Sequence, residues 1–121
     1  MNYQERNDYI TQVESEVIRA CAKHDRVCDF FIDPRKRIVD IRDDLKKLRE
    51  SNDRKEGKLT ATFSGIIAEE LFEAYEAYVM GDLNNCIKEL AQVAAVAVRG
   101  MDFVYRQTME FKTKEKYKER L

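Results

Sequence analysis

The residues best suited to chemistry are acidic and fall in two short segments. Glu69, Glu70, Glu73 and Glu76 form the first, and Glu89 with Gln92 the second, with Gly81-Asp82 between them. On a helix, Glu70 lies four residues after Ile66 and three after Ile67, on the side expected to face a core. Glu73 and Ala77 continue that stripe. Glu89, Gln92 and Val96 share a stripe of the following segment. Antiparallel pairing of two such helices would gather Glu70, Glu73, Glu89 and Gln92 into one patch. Half-buried carboxylates repel one another and lose hydration, an arrangement that calls for a cation. A hard divalent ion with oxygen ligands answers that need, and Mg²⁺ suits carboxylates together with substrate phosphates. On spacing alone, the same glutamates serve equally well as the solvated side of an amphipathic helix, because Glu is a common helix former. Gln92 is the more telling residue: it interrupts the apolar run from Leu90 to Val98 and needs a hydrogen-bond partner there.

Other constellations fare less well. Cys21-x-x-His24-x-x-x-Cys28 puts two thiols and the single imidazole on one face of a first helix. These ligand types suit Zn²⁺, but structural zinc sites use four ligands, and core cysteines beside a half-buried histidine are the expectation. Cysteine–histidine nucleophilic catalysis also needs an orienting third group and an oxyanion hole, which this spacing does not supply. A di-iron carboxylate bundle requires Glu-x-x-His on two helices, whereas the residue three before His24 is Cys21. Gly57, Gly65, Gly81 and Gly100 are too scattered for a phosphate-cradling loop. Phe72, Tyr75, Tyr78 and Phe103 offer stacking faces, but aromatics at helical spacing are ordinarily core.

The elements that must position the acidic residues follow from periodicity and punctuation. Ile10, Val13, Val17, Cys21, Cys28 and Phe31 recur at three-and-four spacing and predict a first helix from about Glu5 to Phe31. Pro34 is placed to open a second helix, which Ile38, Ile41, Leu45 and Leu48 continue until about Ser51-Asn52-Asp53. A third helix is expected from Thr62 or Phe63, with the Thr as cap, through Ile66, Ile67, Leu71, Ala74 and Tyr78 to a stop at Gly81-Asp82. A fourth begins close to Asn84 or Asn85, and the short connection makes the third and fourth helices antiparallel neighbours. The Lys/Glu-rich stretch after Phe111 reads as a solvated helix end.

Composition sets the class. Lys+Arg 22 against Asp+Glu 23 leaves a net charge of −1, which argues against nucleic acid as a partner. One Pro and four Gly are too few for an all-β sandwich, and 44% apolar residues supply a core. No stretch approaches the roughly 18 apolar residues of a membrane span. Three cysteines and no signal-peptide pattern point to a cytoplasmic setting. The expectation is one all-α domain over residues 1–121, a bundle of about four helices. The Leu90–Val98 run is apolar on almost every side and must be covered all round, so a homodimer or homotetramer is expected.

Taken together, Glu69-Glu70-Leu71-Phe72-Glu73 and Lys88-Glu89-Leu90-Ala91-Gln92 resemble the split acidic signature of the MazG-like all-α nucleoside triphosphate pyrophosphohydrolases, E-x-x-E on one helix and E-x-x-D on the next. The resemblance runs from about Gly57 to Val104, through Gly57-Lys58-Leu59-Thr60 and the Leu90–Val98 run, and is similar to a phage and actinobacterial branch of that group. It implies Glu70, Glu73 and Glu89 as Mg²⁺ ligands, with Mn²⁺ as a substitute. Gln92 stands where Asp is usual and would ligate through its carbonyl oxygen or through water. It further implies hydrolysis of a nucleoside triphosphate to monophosphate and pyrophosphate, with water attacking the α-phosphorus. Glu69 or Glu76 would orient that water as base. Lys58, Lys88, Arg99 and Arg106 are the candidate phosphate contacts, being near the acidic helices in sequence. The alternative is a helical binding or assembly module with the same fold and no hydrolysis, which Gln92 at the Asp position favours.

Overall fold

Local capping chemistry sets most of the helix ends. The computed structural model describes residues 1–24, 29–33, 35–53 and 62–120, and every regular element among them is a helix. These are α1 (Tyr3–Lys23), α2 (Ile38–Asp53), α3 (Phe63–Val79) and α4 (Leu83–Arg120). A reciprocal capping box opens α1: the Glu5 N–H donates to Asn2 Oδ1 at 2.8 Å and the Asn2 N–H to Glu5 Oε1 at 3.0 Å. Thr62 Oγ1 accepts from the Gly65 N–H at 3.1 Å and opens α3, as expected from sequence.

The α3–α4 connection is a two-residue device. Gly81 takes the left-handed conformation with φ 77°, which a side chain would make unfavourable. Its N–H donates to Tyr78 O at 3.0 Å and the Asp82 N–H to Ala77 O at 2.9 Å, the paired bonds of a Schellman motif. Asp82 then turns to the next helix and accepts the Asn85 N–H on its carboxylate at 3.3 Å. One aspartate thus closes α3 and opens α4, and α4 starts at Leu83, close to the Asn84 or Asn85 that the sequence pattern indicated.

Two compact units result, one of residues Val27–Ala97 and the other of Met1–Arg26 with Val98–Leu121. In the first, the stripe Ile41, Leu45, Leu48 and Asn52 of α2 faces α3, with Ile41 0% and Leu45 1% exposed. Asn52 reaches Gly65 O and Glu69, while Arg42, three turns earlier, reaches Glu76, so α2 and α3 are antiparallel. The Cys86 thiol donates to Ala74 O at 3.4 Å, and Ala74, Ala77 and Cys86 form a small core against which Phe30 packs. In the second unit, α1 runs antiparallel to the later part of α4. Tyr9 Oη donates to Asp102 at 3.0 Å, and the Arg106 guanidinium contacts both Glu5 and Asp102. Burial, reinforced by the Asp102 acceptor, pushes the Tyr9 hydroxyl up to about 12.

Three sequence expectations change. Helix α1 stops at Lys23, not near Phe31, because Phe30 and Phe31 leave helical geometry and pack on the α3 aromatics. Phe30 stacks on Tyr78 at 4.2 Å and Phe31 meets Tyr75 edge-on at 5.0 Å. Helix α2 starts at Ile38, while Pro34, Cys28 and residues 54–61 lie outside the described residues. Within a single chain the Leu90–Val98 run of α4 is not covered all round: Leu90 is 37% exposed, and Ala91, Gln92, Ala94 and Ala95 are exposed as well. The Lys/Glu-rich stretch after Phe111 is the exposed end of this helix, which runs to Arg120, as the sequence suggested. No helix among the described residues is long and apolar enough to cross a membrane.

This small core makes single contacts count. Leu45→Ala is expected to lower the unfolding free energy by about 2–5 kcal/mol. Gly81→Ala should lower it by about 1–2 kcal/mol, the cost of a Cβ in the left-handed region. Urea titrations followed by circular dichroism at 222 nm check both.

Candidate metal centre

Glu70 and Glu73 lie one turn apart on the face of α3 that meets α4, and Glu89 comes to them from α4. One carboxylate oxygen from each residue lies within 4.8 Å of the other two, and all three side chains are half-buried. Gln92 adjoins this group, one turn beyond Glu89. With its amide oriented by the surrounding hydrogen bonds, Gln92 Nε2 donates to Glu70 Oε2 at 2.7 Å and Glu89 Oε2 at 3.0 Å. Antiparallel pairing therefore assembles all four residues, as the helical spacing suggested.

The electrostatics of the group are unfavourable by themselves. Burial, then the charges of Glu70 and Glu89 and a hydrogen bond shared with Glu89, push Glu73 up to about 7. Burial and the charges of Glu89 and Glu69 push Glu70 up as well. Arg49 approaches Glu73 at 3.5 Å, but its side chain is half-exposed, and that screened contact does not offset the repulsion. Three hard oxygen donors, with an amide oxygen available if Gln92 turns over, make a donor set that fits Mg²⁺ or Mn²⁺.

The remaining candidates separate. Glu69 accepts from Asn52 Nδ2 at 3.0 Å, whereas Glu76 is paired with Arg42 at 3.1 Å. Both flank the three-carboxylate group without joining it. Lys88 is exposed on α4 next to Glu89 in sequence. Arg99 and Arg106 belong to the other unit, where Arg106 is engaged by Glu5 and Asp102. Lys58 lies outside the described residues. Of the cysteine–histidine constellation, Cys21 is exposed and His24 caps the end of α1. Cys86 is a buried structural thiol, raised in pKa first by burial and then by Glu89, which makes it a poor nucleophile.

Sequence reasoning missed Arg42 and Arg49, the two α2 guanidiniums that reach the acidic face of α3. Their signal lies in the flanks of the Ile41-Leu45-Leu48 stripe, where cations seven residues apart must border whatever that stripe packs against. Comparison of the chain with protein-family models, with curated proteins and with solved structures finds no match.

Glu73 binds its proton more tightly folded than at its ordinary value of 4.5, so its contribution to stability is complete below that value and is lost as pH rises through about 7. In chelator, Glu73→Gln should therefore gain thermal stability over the wild type progressively between about pH 5 and pH 8. Melting curves across that range check it; a constant difference between the two proteins contradicts it.

Proposed function

We propose that this chain is a Mg²⁺-dependent nucleoside triphosphate pyrophosphohydrolase of the MazG-like kind, converting an NTP or dNTP and water to the monophosphate and pyrophosphate. The observation that carries this reading is the convergence of Glu70, Glu73 and Glu89 within 4.8 Å, the three positions the family signature assigns to metal. These carboxylates, with the Gln92 amide oxygen, would hold Mg²⁺ or Mn²⁺. When bound, such an ion supplies charge neutralisation for phosphate oxygens and an acidified water. The water oxygen forms a bond to the α-phosphorus, the bond to the bridging oxygen breaks, and pyrophosphate leaves. Glu69 is the better placed of the two candidate bases to take the water's proton. Glu69 accepts from the neutral Asn52 amide, whereas Glu76 is committed to Arg42. The exposed Leu83, Ile87 and Leu90 support assembly into a homodimer or homotetramer, and the odd cysteine count supports a cytoplasmic setting.

A second reading, a helical binding or assembly module without hydrolysis, is favoured by one observation. The Gln92 amide donates to two of the three carboxylates and so meets part of their need for a cation. Pyrophosphate release from a panel of canonical and damaged NTPs and dNTPs, with Mg²⁺, Mn²⁺ and EDTA arms, decides between the two. Metal-dependent release with stoichiometric monophosphate is expected. Glu73→Ala should reduce it by on the order of a hundredfold or more while keeping its helix content. Full activity in that variant sinks the ligand assignment, and silence across the panel from a folded protein selects the module.

A further inference from the structure

A cavity of about 300 Å³ opens beside the acidic group, lined among others by Arg42, Arg49, Glu73, Glu76, Met80 and Glu89. Its two cations come from α2, two turns apart on one face. Each is held by a single edge. Arg42 Nε meets Glu76 Oε2 at 3.1 Å, with Nη2 also reaching Met80 Sδ at 3.7 Å, and Arg49 Nη2 meets Glu73 Oε1 at 3.5 Å. A guanidinium carries five N–H donors in a planar fork matched to phosphate oxygens, so each arginine keeps most of its donors for another partner. Half-exposed pairs of this kind add little to stability, and the buried Ile41 and Leu45 already hold α2 in place. Among the described residues, none of Lys88, Arg99 and Arg106 lines this cavity.

We infer that Arg42 and Arg49 form a polyphosphate-binding site on the α2 wall of this cavity, exchanging their glutamate partners for the pyrophosphate end of a metal-complexed triphosphate. The inference rests on the reading of Glu70, Glu73 and Glu89 as a metal centre. A Glu73 carboxylate engaged in holding a divalent ion has less charge to offer Arg49, and the guanidinium is released toward phosphate. Bidentate contacts from the two forks then fix the phosphate chain next to the metal. They also meet the negative charge that grows on the departing pyrophosphate.

Calorimetric titration of the full chain, first with Mg²⁺ alone and then with inorganic tripolyphosphate in Mg²⁺, tests the site without turnover. Arg42→Gln and Arg49→Gln should each weaken tripolyphosphate binding by roughly tenfold to a hundredfold. Mg²⁺ affinity should hold or improve, because Glu73 loses a competing cation. Arg49→Lys, which keeps the charge and loses the fork, should recover only part of the affinity. The two exposed substitutions leave the core intact, and circular dichroism verifies it. Tripolyphosphate binding in the Arg42→Gln/Arg49→Gln protein equal to wild type overturns the inference, as does a wild type that binds Mg²⁺ but no tripolyphosphate. Pyrophosphate release separates the two levels. A wild type that binds tripolyphosphate through both arginines yet hydrolyses no NTP loses the enzyme reading and keeps the site. Hydrolysis with arginine-independent binding does the reverse.

Discussion

The tight connection at Gly81-Asp82 governs the unit that carries the acidic residues. A Schellman closure followed at once by the Asp82 cap leaves no slack between α3 and α4. The register of the two helices is then determined: Ala74 meets Cys86, Glu73 meets Glu89, and Glu70 meets Gln92. A connection one residue longer would rotate α4 by about 100° and carry Glu89 off the shared face. The small side chains of Ala74, Ala77 and Cys86 are buried together beside the turn, where the Cys86 thiol reaches Ala74 O.

That register imposes a cost, which the surroundings offset in part. Three carboxylates brought together in a half-buried place raise one another's proton affinity, most of all at Glu73. Gln92 answers from α4 with two N–H donors, and Arg49 answers from α2 with a distant, screened charge. Arg42 and Asn52 meanwhile engage Glu76 and Glu69, the acidic neighbours on either side. Every helix of this unit therefore contributes to a single charged seam. The seam is in tension until a cation or a proton enters it, and proteins commonly build such tension into places where they bind ions.

The apolar side of the molecule is equally unbalanced. The fully buried side chains are few, while Leu83 and Ile87 of α4 and Phe103, Val104 and Phe111 further along the same helix remain exposed. Leu83 and Ile87 lie one turn apart in the first unit, whereas Phe103, Val104 and Phe111 belong to the second, so these are two separate apolar patches. With so few fully buried side chains, the first unit keeps only a small core.

Helix content, the caps at Thr62 and Gly81, and the patch of Glu70, Glu73, Glu89 and Gln92 were legible in the sequence alone. These features depend on atoms within a turn or two of one another: a Thr hydroxyl three residues from its N–H, a glycine that tolerates positive φ, and a 3.6-residue period joined by a minimal loop. Tertiary structure alone decided the rest. Phe30 and Phe31 belong to the α3 aromatics and not to α1, because stacking across more than forty residues outweighs local periodicity. Arg42 and Arg49 reach the acidic seam, whereas Arg106, which sequence proximity had placed among the phosphate contacts, is taken up by Glu5 and Asp102. Gln92 meets its carboxylates at an exposed position and not inside a buried run. A long charged side chain samples many directions, and only the packing of the helix faces selects which opposite charge it meets.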